Sequence, residues 1–135
     1  MEGSEYGIDI LNDLDTNYVT TFVKEKIKMR SGETDIAKSI INETIQNIGA
    51  KISNSLGHIG NLDCDILKHK NKYYVLELNP RFGGGYPFTH EAGGHIVNMY
   101  IDWLNGINEP LKHNHFKPNL TFSKCDRLIA LKQGD

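Results

Sequence analysis

Two cysteines among 135 residues, Cys64 and Cys125, lie far apart and are too few for a disulfide framework or a zinc motif. A reducing cytoplasm is the compartment this usage implies. No apolar run approaches the length that crosses a bilayer, and no signal-peptide pattern opens the sequence, so no membrane partner is expected. A formal net charge of -2 provides no general surface for nucleic acid. Six histidines fall into no Cys/His spacing of a structural zinc site, although His113 alternates with His115 and His90 and His95 flank a glycine pair. The GxGxxG and GKS/T spacings of dinucleotide and P-loop sites are also missing. No internal repeat or low-complexity linker divides the chain.

What is present is one domain's worth of ordinary globular sequence, 39% hydrophobic and 24% charged, read as a single unit over 1–135. Its organising stretch is Asn61 to Tyr86, NLDCDILKHKNKYYVLELNPRFGGGY. Strand side chains alternate between faces, so Asp63, Asp65 and Leu67 share one face and Leu62, Cys64 and Ile66 the other. Tyr73, Val75, Glu77 and Asn79 are expected on one face of the next strand, with Tyr74, Leu76 and Leu78 behind them. The polar run His69 to Lys72 marks the reversal. A hairpin centred on Asn71 would pair residues whose numbers sum to 142, setting Asp65 against Glu77 and Asp63 against Asn79.

Three carboxylates and an amide would then crowd one patch, backed by Leu62, Cys64, Ile66, Leu76 and Leu78 against a core. Like charges directly opposite in a sheet repel, and a hard cation such as Mg²⁺, which takes oxygen ligands, would offset that repulsion. A solvated acidic hairpin without a ligand fits the alternation equally. Pro80 ends the ladder, Arg81 emerges beside the acids as a cation suited to phosphate oxygens, and Gly83, Gly84 and Gly85 permit close backbone approach.

The segment Glu77-Leu78-Asn79-Pro80-Arg81, preceded by Asp63-x-Asp65 and followed by Phe82-Gly83-Gly84-Gly85-Tyr86-Pro87, resembles the C-terminal metal-binding segment of the ATP-grasp superfamily. The nearest branch holds the carbamoyl phosphate synthase large subunit and related carboxylate–amine ligases. The resemblance implies that Asp65, Glu77 and Asn79 hold Mg²⁺, or Mn²⁺, on the phosphates of ATP and that Arg81 takes the catalytic role of the motif's arginine. Asp65 stands where carbamoyl phosphate synthase tends to have glutamine, and Asp63 is an additional candidate.

Residues 2 to 11 alternate with Tyr6, Ile8 and Ile10 on one side and Glu5, Gly7 and Asp9 on a solvent side. By resemblance Glu5 lies near the nucleotide. Tyr18 to Arg30 return as a second strand, with Lys24 and Lys26 expected on a charged outer face. Lys28 and Arg30, in a segment resembling the family's phosphate-side strand, are expected to contact phosphate or substrate. Ser31 is expected to cap a helix carrying the stripe Ile36, Ala37, Ile40, Ile41, Thr44, Ile45 and Ile48, stopped by Gly49. Lys51 to Gly57 reads as loop, His95 to Asn105 as an amphipathic helix, and Pro110 to Pro118 as irregular. Leu128 to Leu131 reads as an edge strand.

The expected fold is α+β, an antiparallel sheet of about five strands with helices packed on one face, corresponding to the C-terminal half of an ATP-grasp domain. The implied function is the ATP- and Mg²⁺-binding part of a ligase that activates a carboxylate as an acyl phosphate for attack by an amine or ammonia. Such a chain would be incomplete alone and would need an N-terminal lobe or partner subunit. Self-association of an exposed apolar face is a further expectation. The rival reading is a binding or assembly module that keeps the fold and a metal site without turnover.

Overall fold

The computed structural model of the chain describes residues 3–130. Six strands form one antiparallel sheet: β1 (Ser4–Asn12), β2 (Tyr18–Arg30), β3 (Glu33–Ile40), β4 (Asn61–His69), β5 (Lys72–Asn79) and β6 (Thr121–Ser123), in the order β5-β4-β1-β2-β3-β6. The helices are α1 (Glu43–Leu56), α2 (Tyr86–Glu91) and α3 (Ile96–Leu104). The class is therefore α+β. Alternation along the central strands divides the sheet's side chains into two sets. Tyr6, Ile8, Ile10, Val23, Leu62, Cys64 and Ile66 form a closed apolar core with Ile45 of α1. On the opposite face Leu11 and Phe22 pack with Ile96 and Met99 of α3. Helices thus cover both faces, α1 behind the sheet and α3 on the front beside the charged residues.

The segment after Ser31 departs from expectation. It is not a helix. Ser31 and Gly32 both have positive φ, 51° and 79°, and form a two-residue turn that pairs Arg30 with Glu33. Such a turn matches the twist of the flanking strands. Once it brings residues 33–40 beside β2, backbone pairing and the β-branched Thr34, Ile36 and Ile40 favour a strand over the apolar stripe's helical spacing. The helix begins only at Glu43, where the Asn42 side chain accepts a hydrogen bond from the Ile45 amide at 3.0 Å.

Gly49 does not stop that helix, which runs on to Leu56 and ends at Gly57 in the left-handed region (φ 60°). Gly49 instead lets α1 lie against β2, since a Cβ there would come within 2.3 Å of the Thr21 hydroxyl oxygen. The third correction concerns the sixth strand. It is Thr121–Ser123, paired with β3, whereas residues 128–130 have no regular structure and Leu131 lies outside the described residues.

The β4–β5 hairpin reaches its register by an unexpected route. Lys70 and Asn71 (φ 46° and 61°) form a two-residue turn, and near it the partners are His69 with Lys72 and Ile66 with Val75. A bulge at Leu76 then shifts the register by one, so that Asp65 faces Glu77 and Asp63 faces Asn79. It also reverses the faces toward the turn. Tyr73 packs on the α1 core rather than sharing the front face with Glu77. Leu76 and Leu78 stand at the margin of the core rather than closing it: at 53% and 42% exposure they lie on an edge strand, where Leu78 borders a cleft against Ile52 and Leu56 of α1.

Glycine to alanine in a helix interior ordinarily stabilises by about 1 kcal/mol. Gly49→Ala is expected to do the opposite and lower the midpoint of urea unfolding, because its methyl group meets Thr21. An unchanged or raised midpoint would contradict this packing.

Candidate functional site

The cross-strand pairs Asp65–Glu77 and Asp63–Asn79 of the β4–β5 ribbon open into a pocket of about 220 Å³, lined in part by Lys24, Lys26, Asp63, Asp65, Glu77, Asn79 and Arg81. The β2–β3 turn, through Gly32 and Glu33, and the loop residues Gly84 and Gly85 form its rim. The structure thus brings together Asp65, Glu77, Asn79 and Arg81. Arg81 Nη1 lies 3.5 Å from Asp63 Oδ2 and donates to the Phe82 carbonyl at 3.2 Å.

Lys28, Arg30 and Glu5 are placed differently. An extra residue, Ile27, interrupts the pairing of β2 with β3, and beyond it Met29 rather than Lys28 lines the pocket. Lys28 and Arg30 lie outside, within 3.9 Å and 3.5 Å of Asp35 carboxylate oxygens. Glu5 stands beyond the pocket, 3.8 Å from the Lys26 ammonium.

The residues that sequence reasoning missed are Asp9, Lys24, Lys26 and Thr89. Lys24 and Lys26 are not on a solvated outer face, and Asp9 is not on a solvent side. Lys24 and Asp9 form an ion pair at 2.8 Å with side chains only 4% and 0% exposed. Thr89 of α2 donates to the same Asp9 oxygen at 2.5 Å and accepts from Lys24 at 3.1 Å, while Asn61 donates to the other Asp9 oxygen at 3.0 Å. Burial pushes the Asp9 carboxyl up, but Lys24 and these hydrogen bonds outweigh it and hold the group below its ordinary value.

Lys26 reaches across β1 to Asp65, its ammonium 2.8 Å from Oδ2. Gly7 eases these reaches, since a Cβ there would crowd Lys24 Cε at 3.2 Å and would touch Lys26 Cε at 3.5 Å. A glycine in mid-strand signals such close approach and was the available clue. Asp63 has less compensation: burial, with Asp9 and Asp65 beside it, raises its carboxyl above the usual range despite Lys24 and Arg81. Behind the ribbon, burial and the adjacent carboxylates of Asp65 and Asp63 push the Cys64 thiol up to about 12, which leaves it unreactive.

The glycine loop is fitted to these side chains. A Cβ on Gly83 would fall 2.2 Å from the Asp63 carboxyl carbon, and one on Gly85 would fall 2.7 Å from Lys24 Cε. Backbone therefore lies directly over the acids and the buried lysine, closing one wall of the pocket.

The donor set suits a hard cation. Among the described residues no three His, Cys, Asp or Glu side chains gather closely enough to hold an ion unaided. Mg²⁺, however, commonly takes one or two carboxylates and completes its shell with water and substrate phosphates. Asp65 already attracts a cation, the Lys26 ammonium.

A family model described as "ATP-grasp in the biosynthetic pathway with Ter operon" matches residues 1–127. The chain belongs to the ATP-grasp family. The carbamoyl phosphate synthase large chain of Helicobacter pylori (strain ATCC 700392 / 26695) is 29% identical over 147 aligned positions, covering 96% of this chain and 14% of that protein. The large chain of Campylobacter jejuni is 28% identical over 120 positions, covering 81% of this chain and 11% of that protein. This ATP-grasp chain therefore spans about one-seventh of the Helicobacter relative's length.

Among solved structures, Rhizobium etli pyruvate carboxylase superposes with a TM-score of 0.68 at 19% identity, over 88% of this chain and 13% of that one. The biotin carboxylase domain of a thermophilic 2-oxoglutarate carboxylase gives 0.67 at 16% identity, over 87% of this chain and 29% of that one. These likenesses establish the shared ATP-grasp fold. No helix among the described residues is long and apolar enough to cross a membrane.

Removing one partner of a buried ion pair leaves the other charge uncompensated, at a cost of about 3–5 kcal/mol. Asp9→Asn should lower unfolding free energy by that order, and the double variant Asp9→Leu/Lys24→Met should lose less. Because the folded-state value of Asp9 is depressed, its contribution is complete above the ordinary value of 3.8 and disappears as pH falls through the lower folded value. Urea titrations between neutral pH and pH 2 test both points; a single variant as stable as the parent would refute the role of the pair.

Proposed function

We propose that this chain supplies the MgATP-binding part of an ATP-grasp ligase that activates a carboxylate as an acyl phosphate for attack by an amine or ammonia, as the carbamoyl phosphate synthase relatives suggest. The observation that carries the reading is the pairing of Asp65 with Glu77 and Asp63 with Asn79 beside Arg81. Asp65, Glu77 and Asn79 hold Mg²⁺, with Mn²⁺ as a substitute. When bound, the metal neutralises charge on the β and γ phosphates and fixes their orientation.

The rest of the chemistry falls to the chain's own groups. Arg81, half exposed beside the acids, swings its guanidinium from Asp63 to the transferring phosphoryl group, stabilising charge as it spreads over the equatorial oxygens. A carboxylate oxygen of the substrate attacks the γ-phosphorus and the bond to the bridging oxygen of ADP breaks. The amine then attacks the acyl carbon and inorganic phosphate leaves. The glycine loop over Asp63 and Lys24 keeps one wall of the pocket free of side chains, so that phosphate and substrate can approach the backbone closely.

Lys28 and Arg30, on β2 outside the pocket and near Asp35, contact phosphate or substrate, and Glu5 lies near the nucleotide. These three assignments rest on the family resemblance. The span of about one-seventh of the Helicobacter relative's length supports a site shared with a second lobe, carried by a longer polypeptide or a partner subunit.

Calorimetric titration with Mg²⁺ and a nonhydrolysable ATP analogue, separately and together, tests this reading. Each ligand should strengthen binding of the other, and Glu77→Gln should abolish that coupling. Metal binding indifferent to nucleotide would overturn the ligase assignment and favour a module that retains only the fold and a metal site.

A further inference from the structure

Of the three pocket cations, Lys24, Lys26 and Arg81, the proposed chemistry uses only Arg81, and of the other two Lys26 is the one not locked in a buried network. Its position is unusual for a surface lysine. It starts on β2, crosses β1 over Gly7 and ends 2.8 Å from Asp65 on β4. Neighbouring strands lie about 4.8 Å apart, so this reach uses the whole lysine stem. The side chain is only 9% exposed, and its second carboxylate, that of Glu5, is distant at 3.8 Å.

The three pocket cations differ in how firmly they are held. Lys24 is fixed by Asp9 and Thr89 in a buried network. Arg81 is about half exposed and 3.5 Å from its partner. Lys26 is bound tightly at one point, to the carboxylate that is also the proposed metal ligand. An ammonium 2.8 Å from Asp65 Oδ2 and a divalent cation on that same oxygen repel each other at close range.

We propose that Lys26 is an exchangeable counter-ion of Asp65: its ammonium holds the carboxylate in the metal-free chain, leaves when a divalent cation takes that oxygen, and then turns to the phosphate oxygens that arrive with the cation. This rests on the assignment of Asp65 and Glu77 to the metal. The charges support the exchange. Asp9, Glu33, Asp63, Asp65 and Glu77 against Lys24, Lys26 and Arg81 leave two net negative charges. A dication cancels that excess and repels the ammonium beside it on the same carboxylate, while the polyphosphate offers the ammonium a new anion. Glu5, the remaining carboxylate near Lys26, steadies the ammonium as it leaves. Metal alone must displace Lys26, whereas metal with nucleotide gives Lys26 a new partner. The exchange thereby makes metal affinity depend on the nucleotide.

The test measures Mn²⁺ binding to the intact chain by the electron paramagnetic resonance of free Mn²⁺, with and without a nonhydrolysable ATP analogue. It compares the parent with Lys26→Met, Lys26→Gln, Lys26→Arg and Glu77→Gln. The two neutral variants should bind Mn²⁺ alone more tightly, by about three- to tenfold, the range expected on removing a competing, partly buried ion pair. They should also lose most of the strengthening that nucleotide confers, and Lys26→Arg should restore both properties. A structural role alone would not move these two quantities in opposite directions. If Glu77→Gln loses Mn²⁺ but both neutral variants bind it as the parent does, the exchange is wrong and the metal site stands. If the parent binds Mn²⁺ no better than Glu77→Gln, the metal site itself is wrong and the exchange falls with it.

Discussion

Two lysines reaching across a glycine hold the charged face of this sheet together. Asp9, Asp63, Asp65 and Glu77 lie on neighbouring strands, and carboxylates at that spacing repel. Lys24 neutralises Asp9 from within the core, and Lys26 crosses the same strand to Asp65. Gly7 lies beneath both side chains and offers them no Cβ to avoid. Asp63, supported less directly by Lys24 and Arg81, carries the residual repulsion in its raised proton affinity.

The same buried pair organises the loop that follows the acidic strand. Thr89 bonds to both Asp9 and Lys24 and so ties α2 to the sheet, while Gly83 and Gly85 allow the intervening chain to pass over Asp63 and Lys24 without collision. On this face Phe22, Ile96 and Met99 close an apolar cluster beside the charges. Behind the sheet, the core of Ile8, Ile10, Leu62 and Ile66 under Ile45 of α1 provides a rigid backing. A polar pocket between two apolar clusters has fixed walls, and fixed walls let donor atoms be prearranged for a ligand rather than reorganised by it.

Much of this was legible in the sequence. Alternation locates the strands of the acidic ribbon, and the Glu77-Leu78-Asn79-Pro80-Arg81 segment with its upstream acids points by itself to the ATP-grasp family. The pairing of Asp65 with Glu77 was anticipated, yet it arises from a tighter turn compensated by a bulge at Leu76, which alternation alone does not reveal. Residues 33–40 carried helical spacing but became a strand because Ser31-Gly32 is a hairpin turn; the dipeptide was a readable signal that the apolar stripe masked. The ion pairs of Lys24 and Lys26 were not legible. They depend on which strands become neighbours, and β4 joins β1 only after some fifty residues of intervening chain. An even spacing of basic residues looks the same whether it faces water or a row of acids, and the extra residue at Ile27 separates Lys26 from Lys28 in a way no periodicity records.

The central claim is that the acidic end of the β4–β5 ribbon, beneath the glycine loop, is where a divalent cation and nucleotide phosphates meet. Paramagnetic broadening of amide resonances by substoichiometric Mn²⁺ with an ATP analogue tests it most directly. The account predicts broadening centred on Asp63, Asp65, Glu77, Asn79 and Gly83 to Gly85, with the amides of α1 on the far side of the sheet spared. Broadening centred elsewhere, at Asp13 and Asp15 in the turn that joins β1 to β2 or around the histidines near His95, would contradict it.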